Sequence, residues 1–181
     1  MTPVATRIFG SLMNVLTTER LSLRKLSMED AEFVLALLNE PSFLRYIGDK
    51  GVRTLDDARQ YIVSGPLDSY DRNGFGLYLA ELKASGLPIG ICGLVSRPTL
   101  PDPDIGFAFL PTYWSKGYAV ESAAGVLTYA REALRLQRIL AITSPDNQAS
   151  GRVLERIGFR YVRVFQLSEG AEDVKLFEID L

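Results

Sequence analysis

Residues 104–121 have the sequence DIGFAFLPTYWSKGYAVE, which is the most informative segment of the chain. A strand-like segment, Ile105 to Leu110, leads through a turn-forming segment, residues 111–117, directly into a segment with helical periodicity. Such a junction presents free backbone N–H groups at the positive end of a helix dipole, and Gly117 lets a ligand approach the main chain closely. The stretch therefore predicts an anion-binding loop beside which Lys116 adds a movable positive charge.

Two other phosphate-binding motifs do not fit this loop. A P-loop requires a glycine, four residues and then Gly-Lys-Ser/Thr, and a dinucleotide fold requires G-x-G-x-x-G after the first strand of a parallel unit. Neither pattern occurs in the chain. Taken alone, Gly117 is equally consistent with an ordinary helix start, so the surrounding elements have to distinguish the two interpretations.

The segments on both sides of the loop alternate between strand and helix patterns. Two upstream segments begin with helix caps, Ser27 with Asp30 and Thr54 with Asp57, and we expect these helices to end before Pro41 and before Gly65. The predicted strands are residues 16–26, 77–79, 89–95, 105–110, 138–143, 161–167 and 174–181, and the later helices follow Gly117 and span residues 147–157. This order predicts an α+β domain with a mixed, mostly antiparallel twisted sheet of about seven strands flanked by about four helices.

Length and composition agree with one compact domain. The 181 residues are 47% hydrophobic and 23% charged, so we expect a single domain over residues 1–181, with residues 1–14 as a flexible N-terminal extension. The net charge of −2 and the mixed signs indicate no nucleic-acid or membrane partner, and the start of the chain does not resemble a signal peptide. We therefore predict a cytoplasmic protein.

The rare residue types restrict the chemistry. Cys92 is the only cysteine, which excludes an internal disulfide, and no cluster has metal-ligand spacing, so no metal is predicted. Within an apolar strand and without a histidine to activate it, Cys92 is predicted to be a small core residue. Because the chain has no histidine at all, its chemistry must use carboxylates, hydroxyls, backbone amides or a cofactor.

Four stretches occur in the order found in one known family: LTTERLSLR (16–24), PIGICGL (88–94), DIGFAFLP with YWSKGYAVE (104–121), and NQAS through ERIGF (147–159). With them the chain resembles, over residues 16–165, the GCN5-related N-acetyltransferase (GNAT) family, and more narrowly its ribosomal-protein N-terminal acetyltransferase-like (RimJ/RimL-type) branch. The resemblance implies a single GNAT-type domain that uses acetyl-coenzyme A.

The same resemblance implies a set of coenzyme-binding residues. The pantetheine arm is expected along Phe109 and Leu110, with Asn147 and Ser150 near the arm and the sulfur. A helix-capping role for Asn147 is an equally open interpretation, and the two roles do not exclude each other. The backbone amides expected to bind the pyrophosphate are those of Ser115, Lys116, Gly117, Tyr118, Ala119 and Val120.

The expected reaction is acetyl transfer to a primary amine by direct attack in a ternary complex, which needs a carboxylate to accept the amine proton. Asp104 is the first candidate and Glu81 the second, although either is also consistent with a solvated acid at a strand end. By family analogy, a backbone N–H near Leu110 stabilises the oxyanion. Many members carry a proton-donating tyrosine where this chain has Leu154, and Ser150 is the nearest replacement, with a packing role as its alternative.

The expected partners are acetyl-coenzyme A and an amine acceptor, in a monomer or homodimer. The acceptor site is expected between the helical segment 33–61 and the loop Pro98 to Pro103. Two alternative classes remain open at this stage: a non-catalytic coenzyme A-binding sensor, and a protein-interaction domain in which Gly117 is purely structural.

Overall fold

The structure is a computed structural model that describes residues 14–181. Its centre is an eight-stranded sheet in the order β1-β2-β3-β4-β5-β6-β8-β7, in which neighbours are antiparallel except for the parallel pair β5 and β6. The strands are β1 (Asn14–Thr17), β2 (Leu21–Lys25), β3 (Leu77–Leu82), β4 (Pro88–Val95), β5 (Asp104–Phe109), β6 (Arg138–Thr143), β7 (Arg160–Gln166) and β8 (Asp173–Asp180).

Helices cover both faces of the sheet. The helices are α1 (Ala31–Leu38), α2 (Pro41–Tyr46), α3 (Leu55–Ile62), α4 (Asp68–Asn73), α5 (Tyr118–Glu132) and α6 (Gln148–Arg156). One core cluster packs α1, α2 and α3 on the face that carries Leu79 and Ile91, and a second packs α5 and α6 on the face that carries Ala80 and Ile139. Successive side chains of β3 point alternately into the two cores. The fold is therefore an α+β fold of three layers, with helices on both faces of the sheet.

The predicted element types are confirmed, with two differences in number. The single strand expected over residues 16–26 is a hairpin, because the chain turns at Thr18 to Arg20 and β1 pairs with β2. This turn raises the strand count from about seven to eight. The helix α1 ends before Pro41 as predicted, but Pro41 then begins α2, since a proline is well accommodated in the first turn of a helix. The short helix α4 was also not predicted.

The feature that positions the site is a divergence of β5 from β6. Their pairing is confined to Asp104 opposite Leu140, supported by the Leu140 N–H donating to the Pro103 carbonyl at 2.9 Å. Beyond that point β5 continues to pair with β4, and β6 with β8. The two central strands therefore form a V whose open end faces the beginnings of α5 and α6.

Two structural observations concern only residues 14–181. No helix there is both long and apolar enough to cross a bilayer, and no group of three or more acidic, cysteine or histidine side chains has the arrangement of a metal site. The extension predicted over residues 1–14 lies outside the described residues except for Asn14, which is the first residue of β1.

Candidate functional site

An open cleft of about 1400 Å³ lies between the diverging strands. Its walls are β5, the end of β6, the beginnings of α5 and α6, and residues 37–50 with Arg97. Of the residues predicted for the site, those that line the cleft are Asp104, Phe109, Ser115, Gly117, Tyr118, Ala119, Val120, Asn147 and Ser150. Leu110, Lys116 and the second base candidate Glu81 do not line it.

The loop before α5 has the backbone geometry of an anion site. Gly117 has φ +84° and is the N-cap of α5, and Ser115 has φ +59°, a left-handed conformation that is uncommon for a residue with a side chain. The first N–H bonded within the helix is that of Glu121, which donates to the Gly117 carbonyl at 3.0 Å. The N–H groups of residues 118–120 therefore have no partner within the helix and point out of its positive end.

The outer side of this loop is held by an interaction that the sequence analysis did not predict. Glu121 accepts hydrogen bonds from the Thr18 hydroxyl at 2.6 Å, from the Arg20 N–H at 2.7 Å and from the Arg20 Nε at 2.7 Å. The Arg20 Nη1 also donates to the Lys116 carbonyl at 2.9 Å. The β1–β2 turn is thus tied to the loop. The only sequence feature related to this interaction was Glu121, an acidic residue in the first turn of a predicted helix.

Glu121→Gln is expected to lower the melting temperature by about 3 °C at pH 7. Partial burial alone would raise the pKa of Glu121, but the hydrogen bonds from Thr18 and Arg20 hold it below the ordinary 4.5. A depressed pKa contributes stability above the ordinary value that is lost as the pH falls through the folded value, so the difference should shrink below about pH 4.5. Thermal melts from pH 3 to 8 measure this.

The matched control for that variant is Glu132→Gln, because Glu132 lies at the exposed end of the same helix and its carboxylate pairs with the neighbouring, exposed Arg131. An equal fall in melting temperature in the two variants, or a fall for Glu121→Gln that does not depend on pH, would contradict a stabilising role for the hydrogen bonds of Glu121 to Thr18 and Arg20.

The wall formed by β5 exposes different backbone groups than expected. The Leu110 N–H donates to the Ile89 carbonyl at 3.0 Å and therefore faces β4. Because hydrogen-bonding direction alternates along an antiparallel strand, the N–H groups of Phe107 and Phe109 face the cleft, where β6 has already diverged. The Phe109 carbonyl accepts from the Trp114 indole at 2.7 Å. The geometry does not support Leu110 as the oxyanion donor, because the N–H groups of β5 that face the cleft are those of Phe107 and Phe109.

The wall formed by α6 carries two polar groups and one apolar group. Asn147 is the N-cap of α6, and its Oδ1 accepts from the Ser150 N–H at 3.1 Å, which confirms the capping interpretation. The Asn147 amide nitrogen and the half-buried Ser150 hydroxyl make no hydrogen bond to another described residue. Leu154 is 1% exposed and belongs to the core, so it contributes shape and no proton.

A further hydroxyl on the cleft wall was missed by the sequence analysis. Thr143 is the last residue of β6 and is only 8% exposed, and its Oγ1 has no hydrogen-bond partner within residues 14–181. A buried hydroxyl without a partner costs roughly 1–3 kcal/mol, so native proteins rarely leave one in that condition. The signal in the sequence was a polar residue at an inward position of an apolar strand.

Asp104 lies at the vertex of the V and is 1% exposed. Burial raises the pKa of its carboxyl, and Arg97 opposes that rise by donating its Nε to Asp104 Oδ1 at 2.8 Å. A buried carboxyl with a raised pKa beside a cleft is typical of a general base. Glu81 instead accepts from Arg24 at 2.8 Å and does not line the cleft, so the structure does not support it as the second candidate.

Two other expectations are resolved by the described residues. Cys92 is fully buried away from the cleft, and burial raises the pKa of its thiol to about 12, which confirms a core residue. The segment 37–50 lines one wall of the cleft as expected, through α1, α2 and the following loop. No residue of the loop Pro98 to Pro103 lines it, and Arg97 takes that place.

Comparison with known proteins identifies the scaffold. Residues 20–160 match the model of the family described as acetyltransferase (GNAT) domain. YoaA, an uncharacterized N-acetyltransferase of Bacillus subtilis, is 30% identical over 148 residues, which cover 81% of this chain and 82% of YoaA.

Solved structures give the same result. An acetyltransferase from Agrobacterium tumefaciens is 27% identical with a TM-score of 0.77, and the match covers 91% of this chain and 92% of that one. RimL, a ribosomal L7/L12 alpha-N-protein acetyltransferase in complex with coenzyme A, shares the fold at 18% identity, with a TM-score of 0.80 and coverage of 93% and 98%. Together with the cleft and the helix N-terminus described above, these comparisons show that the chain belongs to the GNAT family and is an acyl-CoA-dependent acetyltransferase.

Proposed function

We propose that this enzyme transfers an acetyl group from acetyl-coenzyme A to a primary amine by direct attack in a ternary complex. The observation that carries the proposal is the V between β5 and β6, which places the base candidate Asp104 at its closed end and the helix N-terminus of α5 at its open end. One cleft therefore contains both a group that accepts a proton and a group that binds an anion.

The residues present fit the coenzyme. The positive φ of Gly117 and the N–H groups of residues 118–120, which have no partner within the helix, suit a pyrophosphate, since a helix N-terminus binds phosphate oxygens through backbone amides. The cleft-facing N–H of Phe109, towards the open end of the V, suits an amide of the pantetheine arm. The Thr143 hydroxyl supplies one more hydrogen-bonding group on the opposite wall.

The chain's own groups then have separate roles in the transfer. Acetyl-coenzyme A supplies an activated acyl group, and Asp104 accepts the proton of the acceptor amine, directly or through a water. The cleft-facing N–H of Phe107, the nearer of the two to Asp104 along β5, stabilises negative charge on the acyl oxygen. Ser150 hydrogen-bonds the departing sulfur and relays to it a proton from a solvent water, which restores the serine hydroxyl, since Leu154 has no proton to give.

Direct attack is favoured over a covalent acyl-enzyme by the nucleophiles that the chain contains. Cys92 is buried outside the cleft with a raised pKa, and the chain has no histidine that could activate Ser150. Without an activated side chain, the amine must attack the thioester itself. The rate enhancement then comes from holding the two substrates together in one site.

Initial-rate kinetics of free-thiol release test the proposal, with acetyl-coenzyme A and a panel of primary amines as substrates. We expect amine-dependent release and double-reciprocal lines that intersect, as a ternary complex requires. Parallel lines would indicate an acyl-enzyme and contradict direct attack. Tight binding of acetyl-coenzyme A without amine-dependent release would contradict acetyl transfer to these amines.

Thr143→Val is expected to have opposite effects on the free and the coenzyme-bound protein. Valine keeps the shape of the side chain and removes the unpartnered hydroxyl, so the free protein should become more stable by about 1 kcal/mol. If Thr143 bonds the coenzyme, the dissociation constant for acetyl-coenzyme A should rise about 5-fold. Chemical denaturation and titration calorimetry measure the two effects.

Thr128→Val is the control for that variant. Thr128 is exposed on α5, and its hydroxyl donates to the Ala124 carbonyl outside the cleft. Unchanged coenzyme affinity in Thr143→Val, at the level of this control, would remove Thr143 from the binding site.

A further inference from the structure

Four positively charged side chains of the described residues line the cleft. Arg152 and Arg156 lie on α6, Arg97 follows β4, and Lys50 lies in the loop after α2. Arg97 contacts Asp104, with its Nε 2.8 Å from Asp104 Oδ1. Partial burial and the charge of Arg97 both lower the pKa of Lys50. Arg97 and Lys50 therefore bring two cations from different segments of the chain to the same cleft.

Most of the hydrogen-bonding capacity of these cations is unused by the protein. Arg97 donates its Nε to Asp104, and within residues 14–181 its two terminal nitrogens have no acceptor. Lys50 has no carboxylate within ion-pair distance in the same part of the chain, and no acidic group offsets the effects that lower its pKa. A guanidinium fork beside an ammonium is the arrangement that recognises a carboxylate or a phosphate.

Among the described residues, the acids that line the cleft are Glu40, Asp104, Asp146 and Glu155. Asp104 is paired with the Nε of Arg97, and Glu40 lies at the beginning of α2. Asp146 is paired with Arg45 at 3.0 Å. The cleft thus offers the carboxylates of Asp104 and Glu40 for a cationic group, and Lys50 with the unused terminal nitrogens of Arg97 for an anionic one.

We propose that the acceptor is a small zwitterion, a primary amine that carries a carboxylate as a free amino acid does, and that Lys50 and the Arg97 fork bind this carboxylate. The inference rests on the proposed function of the cleft. The acceptor ammonium then lies towards Asp104 and Glu40, where its proton is removed. A polyamine would instead bring further positive charge to Lys50 and Arg97, and the first residue of a peptide lacks the α-carboxylate.

Matched acceptors test the proposal on the full chain. Free-thiol release at saturating acetyl-coenzyme A is measured with each free amino acid, its carboxamide and its decarboxylated amine, and with spermidine. We expect kcat/KM to be about 10-fold or more higher for the best free amino acid than for its carboxamide, because a charge-assisted contact is lost. Spermidine should be the poorer substrate.

Lys50 is the residue to vary, since replacing Arg97 would leave the buried Asp104 carboxylate unpaired. Lys50→Met should raise the KM for the free amino acid about 10-fold and leave the KM for its carboxamide unchanged. Lys50→Arg should restore the preference. The control is Lys83→Met, because Lys83 donates to the Thr18 carbonyl and does not line the cleft.

The outcomes separate this inference from the function on which it rests. Release with carboxamides or spermidine as efficient as with free amino acids, or a Lys50→Met variant that keeps the wild-type preference, overturns the carboxylate subsite alone. Release with no amine of any class overturns the proposed function as well.

Discussion

Asp104→Asn is expected to lower kcat by about 10²- to 10⁴-fold while the KM for acetyl-coenzyme A stays unchanged. Asparagine keeps the shape of the side chain, but it does not accept a proton from the amine. Burial raises the pKa of the Asp104 carboxyl above its usual 3.8, and Arg97 limits that rise. Because a base acts in its deprotonated form, wild-type kcat should rise with pH through this pKa, and the variant should lose that limb of the profile.

The control for Asp104 is Asp102→Asn. Asp102 lies two residues earlier and is paired with Arg138, but it does not line the cleft. A loss of activity in both variants, or a pH profile of Asp104→Asn that keeps its rising limb, would indicate that Asp104 acts through the fold and not as the base.

Gly117→Val is expected to weaken acetyl-coenzyme A binding by about 100-fold or more. At φ +84° a β-branched residue is strained, and its Cβ would lie 3.2 Å from Nη2 of Arg20, the residue whose Nη1 holds the loop through the Lys116 carbonyl. The loop must move to relieve both problems, and the N–H groups of residues 118–120 move with it. Titration calorimetry with acetyl-coenzyme A measures the loss.

Gly86→Val separates binding from backbone strain. Gly86 has φ +71° in the β3–β4 turn, remote from the cleft, and a Cβ there meets no atom within 4 Å. Both variants carry a comparable backbone penalty, so only Gly117→Val should lose the coenzyme. Wild-type affinity in Gly117→Val would exclude the loop from the binding site.

Local signals in the sequence were sufficient for most of the fold. The reciprocal hydrogen bonds of the Thr54 and Asp57 cap, at 3.1 and 2.9 Å, confirm the expected start of α3. Helix α2 was missed because Pro41 was interpreted only as a terminator, whereas the packing of Phe43 in the core stabilises a helix of six residues. Such short helices depend on tertiary contacts more than on propensity.

The site was predictable where one continuous segment builds it, as the loop before α5 shows. It was not predictable where strand register, or the approach of segments distant in sequence, determines which groups face the cleft. The N–H of Leu110 points to β4 because of its pairing with Ile89, and a shift of one residue would have turned it towards the cleft. The pairing of Arg97 with Asp104 and the approach of Lys50 likewise depend on the folded chain.

A crystal structure of the full chain with coenzyme A bound shows which groups of the cleft hold the coenzyme. We expect pyrophosphate oxygens within hydrogen-bond distance of the N–H groups of residues 118–120, with the pantetheine arm between β5 and β6 and its sulfur directed towards the end of the cleft where Asp104 lies. Coenzyme A bound on another surface, or in the cleft with its sulfur directed away from Asp104, would contradict this expectation.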